Sequence, residues 1–175
     1  MDVKKAIAGS RSIRAYKDKP VSDDLIKELI DAARLAPSGN NAQPWMFKII
    51  KSKQEKDELK KKKIFVQDFV YTAPVIIICC TNPNAFPKAK FVDGIDDPNK
   101  VRAIRDLSIA CQNLVLRATE LGLGTCYVGW MEKEKVKDVL GIPKHLIAPY
   151  AITVGYAAES PGPRPRKNVD EILLK

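Results

Sequence analysis

Apolar residues recur along this chain with two distinct periods. Leu25, Ile26, Leu29, Ile30 and Ala33 return every three or four positions, the spacing of one buried stripe on a helix. Ser22 precedes the stripe as an N-cap, Asp23 and Asp24 lie against the positive helix end, and Pro37 stops the run. Asp2 caps a shorter predicted helix that reaches about Ala8 and breaks at Gly9-Ser10. Trp45 to Ile50 alternates as a strand does. Pro74 to Cys80 is apolar at nearly every position, which places it at the centre of a sheet with both faces covered.

From Val101 the helical period returns through Ala103, Ile104, Leu107, Ala110, Cys111, Leu114, Val115, Ala118 and Leu121. These residues cover more than one helical face and predict a buried central helix of about five turns, which in a small domain also supplies a subunit interface. Gly122-Leu123-Gly124 ends it, and Thr125 to Trp130 reads as a short strand opening into a turn. This Gly-x-Gly follows a helix and has no third glycine, so it is no dinucleotide fingerprint. Glu132 to Leu140 is a short amphipathic helix closed by Gly141, and Tyr150 to Tyr156 is a further strand.

Composition narrows the class. A chain of 175 residues is most simply one domain, 1–175, able to bury a core. The longest apolar run, Ala73 to Cys80, is too short to span a bilayer and the N-terminus has no signal-peptide hydrophobic region, so a cytoplasmic protein is expected. Cys79, Cys80, Cys111 and Cys126 have no Cys-x-x-Cys spacing and read as reduced core residues. One histidine, His145, leaves little material for a zinc site or a Ser-His-Asp triad.

The net charge is +9, and eight lysines against three acids between Lys48 and Lys63 supply +5 of it. That segment contains no arginine and no interleaved aromatic before Phe65. It reads as a solvated helix or loop that steers anions rather than as a nucleic-acid surface. Asn82 to Lys100, rich in proline, asparagine and aspartate, reads as a surface excursion suited to a lid.

Four stretches carry candidate chemistry. Arg11-Ser12-Ile13-Arg14 can converge on one anion at a helix-to-loop junction, or form surface salt bridges. Ala36 to Trp45 combines Ser38, Asn40, Asn41 and Gln43 between two prolines and beside Trp45. It is either a cap running into a hairpin-like connection or a shaped set of neutral donors and acceptors. Pro161 to Lys167 holds Arg164, Arg166 and Lys167 on a stiff extended segment, as a basic linker or as an anion contact. Val169 to Leu174 adds an apolar patch suited to docking on the body or on a second subunit.

The order Arg-Ser-x-Arg, Ala-Pro-Ser-x-x-Asn-x-Gln-Pro-Trp, Gly-Leu-Gly-x-Cys-x-x-Gly, then Val-Gly-Tyr followed by Arg-x-Arg resembles the nitroreductase family of flavoproteins, over about Ile7 to Leu173. The short length is similar to the compact branch of that family. The resemblance implies an α+β, three-layer fold with a central mixed, mostly antiparallel sheet, helices on both faces and a long buried central helix. It also implies an intertwined homodimer with one FMN per subunit at the interface.

Carried over residue by residue, the resemblance makes Arg11, Ser12 and Arg14 the first FMN contacts, with Arg11 on the phosphate. Arg164 and Arg166 become a basic pair near phosphate and ribityl chain. Pro37, Ser38 and Asn40 correspond to a loop from the other subunit, Gln43 to a same-chain contact. Tyr127, Val128, Gly129 and Trp130 correspond to the turn beside the isoalloxazine, with the Gly129 N–H toward N5. The family's further asparagine and lysine after the second strand have no clear counterpart here. The implied activity is hydride transfer from NADH or NADPH through FMN to a nitroaromatic, quinone or similar flat acceptor, with no obligatory catalytic side chain and no metal. The alternatives are a specialised flavin reductase or reductive dehalogenase of the same superfamily and, from a different class, a basic nucleic-acid-binding module.

Overall fold

The structure is a computed structural model that describes residues 2–87 and 97–174. Four strands form one sheet in the order β1-β2-β4-β3: β1 Trp45–Ile50, β2 Val75–Thr81, β3 Gly124–Val128 and β4 Ile147–Gly155. All three neighbouring pairs are antiparallel, and among the described residues the parallel component is the single bridge Ser12–Thr125. The helices are α1 Val3–Gly9, α2 Asp23–Arg34, α3 Lys53–Lys61, α4 Phe69–Thr72, α5 Pro98–Glu120, α6 Lys133–Leu140 and α7 Val169–Ile172.

β2 is central, and every one of its residues is buried. Its alternation divides the core into two layers. Val75, Ile77 and Cys79 pack with Leu29 and Ala33 of α2 and with Leu107, Cys111 and Leu114 of α5. Ile76, Ile78 and Cys80 pack on the opposite face with Leu59 of α3, Val70 of α4 and Val136 of α6. Each of these large side chains contributes about 1.5–3 kcal/mol by leaving water. The lysine-rich segment is therefore a solvated helix, α3, capped by Ser52 and anchored by one buried residue, Leu59.

Two boundaries differ from the hydrophobic pattern. α5 begins at Pro98, because the Asp97 carboxylate accepts the Lys100 N–H at 3.0 Å and proline needs no partner in the first turn. β4 begins at Ile147, and its pairing with β2 slips between Cys79 and Thr81, beside Pro149, which has no N–H to offer the ladder. α5 buries one stripe within its own chain while Val101 and Ile109 stay 49% and 38% exposed, so its second apolar face is open to solvent. The apolar end of the chain does not dock on the body, and Ile172, Leu173 and Leu174 are exposed. Of the expected excursion, Asn82 caps a short turn at Pro83–Ala85 and Phe86 is buried, whereas residues 88–96 fall outside the described residues.

The segment after α1 is sewn onto the β3–β4 end of the sheet. Ile13 N–H donates to Thr125 O at 2.8 Å, Lys17 N–H to Tyr156 O at 2.8 Å, and Ala158 N–H to Ala15 O at 2.9 Å. Two glycines make room for this approach. A Cβ on Gly124 would lie 2.7 Å from Ile13 Cγ1, and one on Gly155 would lie 2.7 Å from both Tyr16 Cδ1 and Pro74 Cδ. Gly155→Ala is expected to lower stability by about 1–3 kcal/mol, as overpacking does, because ring and pyrrolidine close in from two sides. Urea unfolding measures this as a lower midpoint, and an unchanged midpoint would show that the seam has slack.

Candidate functional site

Arg11 to Arg14 leave α1 in extended form, and the exposed Pro-rich tail passes beside them. Between these segments, β3 and α5 lies a cavity of about 510 Å³. Its walls carry Arg11, Ser12, Arg14, Tyr127, Arg164 and Arg166 from the sequence-derived set. Residues from the two ends of the chain thus meet in one place. The wall includes four arginines and no aspartate or glutamate.

The guanidiniums keep most of their hydrogen-bonding capacity. Arg11 Nη1 donates to Ala8 O at 2.7 Å and Ser10 O at 2.8 Å, and Arg166 Nη1 donates to Arg164 O and Pro165 O, each at 3.1 Å. Among the described residues, none of the four forms an ion pair with a carboxylate within 4.0 Å. The nearby Glu159 is directed instead at the backbone, accepting from the N–H groups of Arg14 and Ala15. Unpaired arginine forks converging on a concave surface are suited to a phosphate monoester, and each hydrogen bond to a charged group is worth roughly 1.5–3 kcal/mol.

A second part of the wall is aromatic and neutral. Tyr127 is 40% exposed and meets Tyr150 edge to face, with ring centroids 5.5 Å apart. Burial pushes both phenols up from their ordinary value. Burial also pushes the Cys126 thiol up, against the opposing influence of Arg14 and Ser12. Among the described residues, no cluster of His, Cys, Asp and Glu is arranged to hold a metal.

The remaining sequence-derived residues lie elsewhere. The Val128 side chain is fully buried in the second core layer, where strand alternation must send it if Tyr127 faces the cavity. Gly129 and Trp130 follow at an exposed turn, tied down by Val66 N–H to Trp130 O at 3.3 Å, and do not form the cavity wall. Pro37, Ser38, Asn40 and Gln43 sit near the N-terminal half of α5, also away from the cavity. Here Ser38 Oγ accepts the Gln43 N–H at 2.9 Å, Asn40 Oδ1 accepts from Arg102 Nη2 at 2.9 Å, and Asp106 Oδ2 accepts the Gly39 N–H at 2.8 Å. Gln112, Thr125 and Asp106 were missed by sequence reasoning. Asp106 left one signal, a polar residue inside an otherwise apolar helical stripe, whereas Gln112 lies on the exposed side of that helix and left none.

A three-layer α+β fold with a cation-lined, partly aromatic cavity on one sheet edge defines a class that comparison makes specific. A profile of the nitroreductase family matches residues 7–156, and the chain belongs to that family. A Methanothermobacter thermautotrophicus protein, provisionally named NADH dehydrogenase/NAD(P)H nitroreductase, is 33% identical over all of this chain and 87% of its own length. The FMN reductase [NAD(P)H] of Bacillus subtilis is 27% identical over 94% of this chain and 70% of its own. Among solved structures, a nitroreductase family protein of Streptococcus pneumoniae superposes with a TM-score of 0.86 at 26% identity, covering 99% of this chain and all of the other.

The phenol of Tyr16 holds the arginine segment in place, bonding Ile13 O and Thr153 Oγ1, each at 2.7 Å. Tyr16→Phe keeps the ring and removes both bonds, so a loss of about 1–2 kcal/mol in unfolding free energy is expected. Equilibrium denaturation checks it; wild-type stability would mean that the backbone pairing alone fixes Arg11 and Arg14.

Proposed function

We propose that the chain is an FMN-dependent oxidoreductase that works in ping-pong order between NADH or NADPH and a nitroaromatic, quinone or similar flat acceptor. One observation carries this reading: four arginines that have no carboxylate partner among the described residues line a cavity large enough for a phosphorylated cofactor tail. The donor set fits FMN. Arg11, Arg14, Arg164 and Arg166 would hold the phosphate, Ser12 would add a hydroxyl, and Tyr127 would offer an apolar edge to the ring system. FMN, when bound, supplies a two-electron hydride relay between reductant and acceptor. The protein's own part is to hold the phosphate from two segments and to keep the neutral phenol of Tyr127 beside the ring.

Family membership and relatives named for NAD(P)H and for FMN reduction support an NAD(P)H-linked flavin enzyme. The name of the B. subtilis relative also favours a second reading, reduction of free flavin as the acceptor. Product analysis separates the two, since reduced flavin leaves the protein in one and stays bound in the other. The reading includes a homodimer in which the loop of Pro37, Ser38 and Asn40 reaches the partner's flavin. Its support is the exposed apolar surface of Val101, Ile109, Ile172 and Leu173, together with the fact that this loop does not line the cavity of its own chain.

The protein is expected to purify yellow and to release FMN on denaturation. Colourless protein that cannot be reconstituted with FMN would overturn the assignment. Arg166→Ala is expected to weaken FMN binding by about 1.5–3 kcal/mol, while FMN-saturated enzyme keeps most of its turnover, because this arginine holds the phosphate and no reacting atom. Arg11→Ala combined with Arg166→Ala should depart from additivity, since both act through one ligand. Flavin titration of the three apoproteins measures both expectations, and an unchanged affinity in Arg166→Ala would reduce the tail to a linker.

A further inference from the structure

The Ser38 to Gln43 loop combines unusual backbone with an unusual support. Asn40, Asn41 and Gln43 all have positive φ, at 57°, 52° and 46°. Asparagine tolerates this region, but glutamine ahead of a proline does not do so readily. Such backbone persists only where its surroundings over-determine it, and it clusters at ligand clamps. The side chains of Asn40, Asn41 and Gln43 are nevertheless exposed, so their own burial does not enforce the shape.

Ser38 Oγ closes the loop on the Gln43 N–H, and α5 supplies support from outside it. Asp106 is 1% exposed, and both carboxylate oxygens are engaged: Oδ2 by the Gly39 N–H at 2.8 Å, Oδ1 by Arg105 at 2.8 Å. Arg102 donates to Asn40 Oδ1 while its guanidinium lies 4.4 Å from the centre of the Phe86 ring. A buried carboxylate in an apolar helical stripe is costly unless its partners are fixed, and an aliphatic residue would satisfy packing alone. Its backbone partner, Gly39, directly precedes the positive-φ residues Asn40 and Asn41.

We infer that Asp106 is a positioning residue for cofactor binding: through Gly39, with Arg102 on Asn40, it sets the loop that serves the partner subunit's flavin site. This rests on the proposed FMN dimer. Asp106 itself touches no ligand. Its role is to hold Asn40 and the backbone around it in one arrangement before the ligand arrives, so that binding does not have to order them.

The test begins with FMN titration of full-length apoprotein. Asp106→Ala should weaken binding at least about tenfold, equivalent to about 1.4 kcal/mol. Asp106→Asn, whose amide oxygen still accepts the Gly39 N–H, should stay within about threefold of wild type, and Arg102→Ala should weaken binding severalfold. These two variants keep the question open to test if Asp106→Ala does not fold. A general fold defect would not reproduce the next readout. In mixed dimers that pair an Asp106→Ala chain with an Arg166→Ala chain, one site receives an intact loop and intact arginines from different chains. One high-affinity FMN per mixed dimer is therefore expected, and none in either variant homodimer. Mixed dimers without a high-affinity site, or Asp106→Ala at wild-type affinity, would overturn the inference. Wild-type protein that binds no FMN would instead overturn the proposed function, and faster hydrogen exchange at the Gly39 amide of Asp106→Ala would still report whether the carboxylate fixes the loop.

Discussion

The backbone seam between residues 13–17 and the β3–β4 end of the sheet is the constraint on which the cavity depends. Without the bonds from Ile13 to Thr125 and from Lys17 to Tyr156, Arg11 and Arg14 would sit on a free arm. With them, two cations are fixed at a sheet edge that is itself locked to the most buried strand of the molecule. The seam needs the absence of side chains as much as the presence of hydrogen bonds: Gly124 and Gly155 are small because Ile13, Tyr16 and Pro74 occupy the space a methyl group would take. Packing, backbone pairing and electrostatics therefore converge on a single short segment, and the tail arginines need only approach from one side.

Much of the fold was legible from periodicity. The unbroken apolar run of β2 announced a central strand and the stripe of α2 an amphipathic helix, and both are present; the mixed polarity between Lys48 and Lys63 read as a solvated helix or loop, and most of it is the helix α3. What periodicity could not mark were the places where capping or a missing donor decides. α5 extends back to Pro98 because Asp97 caps it, and the irregular pairing of β4 follows from Pro149. α4, only four residues long, carries too little pattern to be read from sequence.

The candidate site was legible in its charges and opaque in its geometry. Arginine pairs at opposite ends of the chain were visible as cations, and their order relative to the polar loop resembled one family, but only the folded chain brings Arg11, Arg14, Arg164 and Arg166 to one cavity. Strand alternation then separates residues that are adjacent in sequence, turning Tyr127 toward the cavity and Val128 into the core. Asp106 went unnoticed because a single acid in a long helix has many uses. Its contact with Gly39 depends on a loop conformation that no propensity predicts.

That the cavity is built from both ends of the polypeptide has a topological consequence. Under the proposed assignment, an anion gripped by Arg11 and Arg166 acts as a reversible clasp that closes nearly the whole chain into a ring. The described tail is exposed along its length and has little to hold it otherwise, so ligand occupancy and the order of the C-terminal segment become one equilibrium. Ligand concentration would then govern how much of the chain's end a protease can reach, making the cofactor part of the protein's architecture as well as of its chemistry.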